Sequence, residues 1–93
     1  MPEAKRLEAV ATIRNKRGLH ARASAKVVEA AARFQSHITV TKDGQSVEAR
    51  SIMGLMMLAA GVGSEIHIVV AGPDADEAMA AILALIQANF GEE

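Results

Sequence analysis

Cysteine, tryptophan and tyrosine are absent from this sequence, and phenylalanine occurs only twice. Without cysteine, the chain can form no disulfide, thiolate metal site or cysteine nucleophile. Hydrophobic residues nevertheless make up 51% of the sequence, while aromatic residues make up 2%. The core must therefore consist of Ala, Val, Ile, Leu and Met side chains, and packing alone has to stabilise it.

The sequence also lacks a charge excess and a long apolar run. Its 10 basic and 11 acidic residues give a formal net charge of −1, without the broad positive field that non-specific nucleic-acid binding requires. The longest apolar stretch, residues 52–63, is much shorter than the ~20 apolar residues of a membrane helix. Residues 1–17 carry charges throughout, unlike a secretory signal. We therefore expect a cytoplasmic protein that binds neither nucleic acid nor a membrane.

The first half of the chain predicts three strands and a helix. Apolar and polar residues alternate over 7–13, which is typical of a half-buried strand, with Val10 as the one apolar residue out of phase. An alanine-rich stretch predicts a first helix at 21–34. The stripe of this helix that we expect to face the core is Ala21, Ala25, Val28 and Ala32. Alternation on both sides of Asp43-Gly44 predicts a hairpin, because this dipeptide suits the positive φ of a tight turn.

The second half of the sequence predicts a helix, a strand and another helix, in that order. Ser51 precedes a short apolar stretch, which predicts a second helix with a serine N-cap and a glycine exit at Gly61. Alternation at 66–70 predicts a fourth strand. Asp74 or Asp76 is then expected to cap a third helix. The core face predicted for this helix is Ala78, Ile82, Leu85 and Ile86.

The resulting element order, β-α-β-β-α-β-α, indicates the α+β class. The strands place their polar residues opposite their main apolar residues, and each helix has an apolar stripe. One antiparallel sheet covered by helices on one face satisfies both patterns. We predict a single domain over residues 1–93, since a chain of 93 residues has room for one core.

The three histidines differ in their surroundings. None stands at metal-ligand spacing from another, so we expect neither a metal nor a cofactor. His37 and His67 lie on the polar phase of their predicted strands and are interpreted as exposed sheet residues. His20 instead follows Gly18 at a strand-to-helix junction, with Arg22 two residues later.

His20 has the setting that phosphoryl chemistry needs. The free N–H groups and positive dipole end of a helix N-terminus favour an anion, so a phosphoryl group on His20 would be stabilised there. The guanidinium of Arg22 can pair with phosphoryl oxygens during transfer. The local pattern alone is equally consistent with a structural histidine, and with Arg22 as an ordinary surface residue.

The helix after Ser51 is almost wholly apolar, and a domain of this size can hardly bury all of it. We expect part of it to be exposed as a partner-binding surface, which consists of Ile52, Met53, Met56 and Met57. A methionine-filled core is the alternative. Ser51 is by pattern an N-cap, and a phosphate on it would place negative charge beside the apolar surface and act as a switch.

The motifs GLHAR at 18–22 and SIMGLM at 51–56 together resemble the histidine-containing phosphocarrier (HPr) family of the bacterial phosphotransferase system. The resemblance covers nearly the whole chain and implies an open-faced β-sandwich. It implies that His20 accepts a phosphoryl group from enzyme I and passes it to an enzyme II A-type protein. Arg22 matches the family's partner arginine, and Ser51 the serine that HPr kinase/phosphorylase modifies. We therefore expect a monomeric carrier rather than an enzyme.

One position departs from the family pattern. The family often has proline directly after the arginine, whereas this chain has Ala23. The variant looks like members of nitrogen-related or regulatory phosphotransferase branches, so the resemblance implies phosphoryl transfer without implying sugar uptake. The alternative function is a regulatory domain that docks proteins or senses metabolites, since a fold does not fix a function. An RNA-binding module ranks last because aromatic stacking residues and a basic groove are missing.

Overall fold

The computed structural model describes residues 5–92. The four strands and three helices of this part of the chain follow the predicted order. They are β1 (Lys5–Thr12), α1 (Ala21–Ala32), β2 (His37–Lys42), β3 (Gln45–Glu48), α2 (Ile52–Met57), β4 (Glu65–Gly72) and α3 (Ala75–Gln87), followed by a short 3₁₀ turn at Asn89–Gly91. No helix within residues 5–92 is long and apolar enough to cross a membrane.

The strands form one antiparallel sheet in the order β1-β4-β2-β3. The helices cover one face and leave the other open, which confirms the predicted α+β fold and the open-faced β-sandwich that the resemblance implied. The buried residues of the two central strands face the helices: Ile38, Val40, Ile66, Ile68 and Val70. Val10 is 64% exposed and pairs with the exposed His67, as its position out of phase predicted.

The hairpin between β2 and β3 turns where the sequence predicted. Asp43 has φ 51° and Gly44 has φ 80°, as required of the two central residues in the tight turns that match the twist of a hairpin. Val40 pairs with Val47 across it. The turn therefore fixes the register of the edge strand β3.

The predicted core face of α1 is wrong at Ala21 and Ala32, although Val28 is partly buried and packs against the core. The buried residues are Ala23, Ser24, Val27, Ala30 and Ala31, whereas Ala21 and Ala32 are exposed. Alanines occur on several sides of this helix, so hydrophobicity alone specifies its rotation weakly, and packing against the sheet decides it. The helix also ends before residue 34, where the guanidinium of Arg50 donates to the carbonyl oxygen of Phe34.

Two further details at helix ends correct the sequence analysis. The chain leaves α2 through Ala59, whose φ is 52°, and not through Gly61. Asp74 occupies the N-cap position of α3, but its side chain makes no cap hydrogen bond there. Its carboxylate accepts from the backbone N–H groups of Gln35 and Ser36 and from the Ser36 hydroxyl. Because these bonds favour the charged form, the Ser36 hydroxyl above all, the pKa of Asp74 is lowered.

The backbone of the loop between β1 and α1 contacts the backbone of the loop that follows α2. Gly18 has φ 64°, and a Cβ atom placed on it would lie 2.2 Å from the carbonyl oxygen of Ala60. That carbonyl accepts a hydrogen bond from the N–H of Leu19 at 2.9 Å. Only glycine allows both the positive φ and this close approach.

We therefore expect Gly18→Ala to destabilise the protein strongly. Gly44→Ala is the matched control, because Gly44 also has a positive φ but its Cβ would meet nothing within 4 Å. The control should lose about 1 kcal/mol for the left-handed backbone, and Gly18→Ala should lose a further ~1–3 kcal/mol for the clash. Urea denaturation monitored by circular dichroism measures both. Equal losses would contradict the constraint on Gly18.

Candidate functional site

His20 is the N-cap of α1. Its carbonyl oxygen accepts the first helical hydrogen bond, from the N–H of Ser24 at 2.8 Å. Its ring folds back over the helix start, where Nδ1 accepts a hydrogen bond from the N–H of Arg22 at 3.3 Å. The sequence thus predicted the position of His20 correctly.

The other ring nitrogen of His20 contacts the carboxylate of Glu92. Nε2 lies against Oε2 of Glu92, and both side chains are largely shielded, with exposures of 23% and 19%. A carboxylate can only accept, so the hydrogen of the neutral ring belongs on Nε2. Nδ1 is then unprotonated, and its lone pair points toward the N-terminus of α1.

Glu92 is held in turn by Asn15, a buried side chain of the β1–α1 loop. The amide nitrogen of Asn15 donates to the carbonyl oxygen of Gly18 at 2.8 Å and to Oε1 of Glu92 at 3.1 Å. Hydrogen bonds from Asn15 first, and from His20 second, lower the pKa of Glu92, and burial opposes them. Glu92 is therefore a carboxylate at neutral pH.

A short C-terminal strap, residues 89–92, brings Glu92 to the histidine. Asn89, Phe90 and Gly91 all have positive φ, between 55° and 76°. The side chain of Phe90 is fully buried in the core, and Nζ of Lys26 donates to its carbonyl oxygen at 2.6 Å. These two contacts hold a backbone that non-glycine residues rarely adopt.

Positive charge surrounds this site. A depression of about 370 Å³ is lined by Glu92, which contacts His20, by Gly91 and by four basic residues, Lys16, Arg17, Arg22 and Lys26. Arg22 is exposed on the first turn of α1. The helix N–H groups near Nδ1 and the basic side chains of this depression both favour an anion.

The short helix α2 presents an exposed apolar surface, the α2 patch, as predicted. Its four members are exposed by 40–70%: Ile52, Met53, Met56 and Met57. The alternative of a methionine-filled core is wrong for these residues, because Leu55 alone of α2 is buried. Met56 also lines a depression of about 300 Å³ together with His20 and Gly61. The patch and the histidine therefore share one side of the protein.

Ser51 is the N-cap of α2, as predicted. Its Oγ accepts from the N–H of Gly54 at 2.9 Å, and its carbonyl oxygen accepts from the N–H of Leu55 at 3.0 Å. A Cβ on Gly54 would lie 3.0 Å from both Ser51 Oγ and Val47 Cβ. Ser51 therefore has a structural role, because it caps the N-terminus of α2.

A protein-family model described as "PTS HPr component phosphorylation site" matches residues 7–88. The chain belongs to the HPr family. It is 56% identical to phosphocarrier protein HPr of Cupriavidus necator over 81 residues, which cover 87% of this chain and 91% of that protein. It is 44% identical to phosphocarrier protein NPr of Shewanella violacea over 87 residues, which cover 94% and 96%. The crystal structure of HPr-C-His from Thermoanaerobacter tengcongensis superposes with a TM-score of 0.90 at 44% identity and covers 94% of this chain and 98% of that one.

Within the HPr family, the alanine that follows the arginine is compatible with the site. The side chain of Ala23 is fully buried against the core. Its backbone N–H lies in the first turn, where no intrahelical acceptor exists, and a proline would lack this donor. Relatives named HPr and NPr both match, so assignment of the chain to the nitrogen-related branch stays a prediction.

The other two histidines are exposed on the open face, as predicted for an HPr-like sheet. Nε2 of His67 lies 2.8 Å from a Glu8 carboxylate oxygen, and Nε2 of His37 lies 3.7 Å from one of Glu48. Within residues 5–92, no three histidine or acidic side chains stand together as a metal site would require.

Sequence reasoning missed two residues of the HPr-like site. Asn15 lies in the predicted loop before α1, and asparagine is common in loops because it readily adopts turn conformations. Glu92 lies 72 positions from His20, and no local pattern relates the two. Only the known location of the motif at 18–22 could have drawn attention to Asn15, and nothing in the sequence pointed to Glu92.

The ring of His20 contributes to the acidity of Glu92, which gives a testable pH dependence. In His20→Ala, one of the hydrogen bonds that lower the pKa of Glu92 is lost, so this pKa should rise. The carboxylate would then become protonated at a higher pH as the solution is acidified. Carboxyl ¹³C NMR titration of Glu92 in both proteins measures the shift. An unchanged titration would mean that the contact does not persist in solution.

Proposed function

We propose that this HPr family member accepts a phosphoryl group on Nδ1 of His20 from phosphorylated enzyme I and passes it to a histidine of an enzyme II A-type protein. The observation that carries the proposal is the position of the His20 ring, whose Nδ1 accepts from the N–H of Arg22 at the start of α1 while Nε2 lies against the Glu92 carboxylate. As a carrier, the protein is consumed and regenerated stoichiometrically and is not itself an enzyme. We expect it to act in the cytoplasm as a monomer.

The transfer uses the lone pair of Nδ1 as the nucleophile. This lone pair forms the new N–P bond while the bond between phosphorus and the donor's histidine nitrogen breaks, and the released electron pair stays on the donor. The nucleophilic nitrogen and the N–H donors of the first helical turn are already in place, so little reorganisation is needed. The N–H of Arg22, which bonds to Nδ1 in the free protein, can turn to a phosphoryl oxygen afterwards.

The groups around Nδ1 suit a phosphoryl group. The N–H groups of Ala21, Arg22 and Ala23 belong to the first turn of α1 and have no intrahelical partner. The Arg22 guanidinium is exposed beside the site and can form paired hydrogen bonds with phosphoryl oxygens. We propose that these donors stabilise charge on the group in transit.

We propose the α2 patch as the surface on which enzyme I and the enzyme II A-type protein dock. Its exposed methionines can adapt to several partners, and Met56 borders the depression beside His20. A partner bound there would bring its own histidine close to Nδ1. The alternative role, regulatory docking or metabolite sensing without phosphoryl transfer, would use the same patch but leave His20 without a purpose.

The main test is phosphorylation itself. We expect the protein, enzyme I and phosphoenolpyruvate to yield a single added phosphoryl group that is acid-labile and base-stable, as phosphohistidine is. Intact-protein mass spectrometry before and after acid treatment detects it. His20→Ala should give no adduct, while His67→Ala, which removes an exposed histidine on the open face, should react like the natural protein. An adduct that persists in His20→Ala would overturn the proposal.

We further propose that phosphorylation of Ser51 by HPr kinase/phosphorylase regulates docking. Ser51→Asp should weaken binding to enzyme I about tenfold, because a negative charge then borders the α2 patch. Ser51→Ala is the control, since it removes the cap hydrogen bond, worth ~1 kcal/mol, without adding charge. Isothermal titration calorimetry with enzyme I measures both. Equal affinities for the two variants would count against an electrostatic switch.

A further inference from the structure

The carboxylate of Glu92 contacts the side of the His20 ring opposite the nucleophilic Nδ1. We infer that Glu92 is a positioning residue, which orients the ring and balances the positive charge that the ring acquires when Nδ1 is phosphorylated. This inference rests on the proposed function, because it concerns the phosphorylated state. It assigns a role to a residue outside the span 7–88 that the family model matches.

The first part of the role is orientation. Both hydrogens of the Asn15 amide are used, one by the Gly18 carbonyl and one by Oε1 of Glu92. The carboxylate is thereby turned so that Oε2 meets Nε2 of His20. Asn15 is 2% exposed and its Oδ1 has no partner among the described residues. Within residues 5–92, its side chain therefore bonds to Gly18 and Glu92 alone. The ring plane of His20 is thus determined from the Nε2 side.

The second part of the role is electrostatic. When the lone pair of Nδ1 forms the N–P bond, the proton on Nε2 stays where it is, so the ring becomes a cation. Its surroundings disfavour a cation, since the helix N-terminus and the basic residues that line the adjoining depression are all positive. Those basic residues are Lys16, Arg17, Arg22 and Lys26. Among residues 5–92, Glu92 is the single carboxylate that lines this depression, and it lies directly against Nε2 of the ring.

The strap keeps the carboxylate in place through contacts that do not involve the ring. Phe90 is anchored in the core, and Lys26 binds the carbonyl oxygen of Phe90. A Cβ on Gly91 would lie 2.7 Å from Nζ of Lys26, so the chain passes close to this lysine on its way to Glu92. The strap can therefore remain docked when the Glu92 side chain is changed.

Glu92→Gln is the decisive variant for the charge, because its one amide oxygen can still accept from Nε2 while the charge is removed; only the hydrogen bond from Asn15 to Oε1 is lost with it. In the phosphorylated protein, ³¹P NMR follows the pH at which the ring loses its Nε2 proton. Without the carboxylate the cationic ring is less stable, so this midpoint should fall by about one pH unit. Glu29→Gln, an equal charge change at an exposed site on α1, should leave the midpoint unchanged.

The transfer equilibrium provides a second readout. Near neutral pH, the equilibrium constant for phosphoryl transfer from enzyme I should fall up to about tenfold in Glu92→Gln. The effect should vanish in alkaline solution, where the phosphorylated ring has lost its proton in both proteins. Glu92→Ala also removes the hydrogen bond, so its single-turnover rate should fall below that of Glu92→Gln.

The outcomes separate this inference from the proposed function. If the natural protein forms no phosphohistidine at His20, the proposed function is wrong. If it forms one, the charge role of Glu92 is wrong when Glu92→Gln shows the same deprotonation midpoint and the same transfer equilibrium constant as the natural protein and Glu29→Gln. If Glu92→Ala and Glu92→Gln transfer at the same rate, the orienting role is wrong.

Discussion

The close approach of Gly18 to Ala60 joins the two halves of the proposed site. The N–H of Leu19 bonds to the Ala60 carbonyl, and the missing side chain of Gly18 makes room for it. Because the contact is between two backbone segments, they cannot move apart without losing a buried hydrogen bond. It fixes the start of α1 relative to the end of α2. His20 and the α2 patch therefore keep one distance and one orientation, as a partner that must reach both would require.

The features that could be predicted from the sequence are local ones. Alternation located the strands, Asp43-Gly44 located the hairpin, Ser51 located the N-cap of α2, and His20 was correctly placed at the start of α1. The exposure of Met53 and its neighbours was predicted because so small a domain can bury only part of an almost wholly apolar helix. The rotation of α1 was wrong because its alanines offer no contrast between faces, and the sheet beneath the helix decided it.

The features that could not be predicted depend on contacts between distant parts of the chain. Asn15 and Glu92 form a hydrogen bond although they are 77 positions apart in the sequence. Neither residue type is unusual at its position in the sequence. The strap that brings them together uses left-handed conformations at Asn89 and Phe90, which local propensity disfavours. Burial of the Phe90 ring outweighs that preference. Tertiary packing, rather than any periodic pattern, therefore completes the site.

The proposed phosphoryl transfer places two opposite electrostatic demands on the site. A phosphoryl group is best held by positive charge, yet the ring that carries it becomes a cation, which positive charge destabilises. The imidazole separates the demands because its two nitrogens face different surroundings. Helix N–H groups lie on the Nδ1 side of His20, and the carboxylate of Glu92 lies on the Nε2 side. A residue with one reactive atom, such as serine, could not divide the two charges in this way, which gives a physical reason for histidine at this helix start.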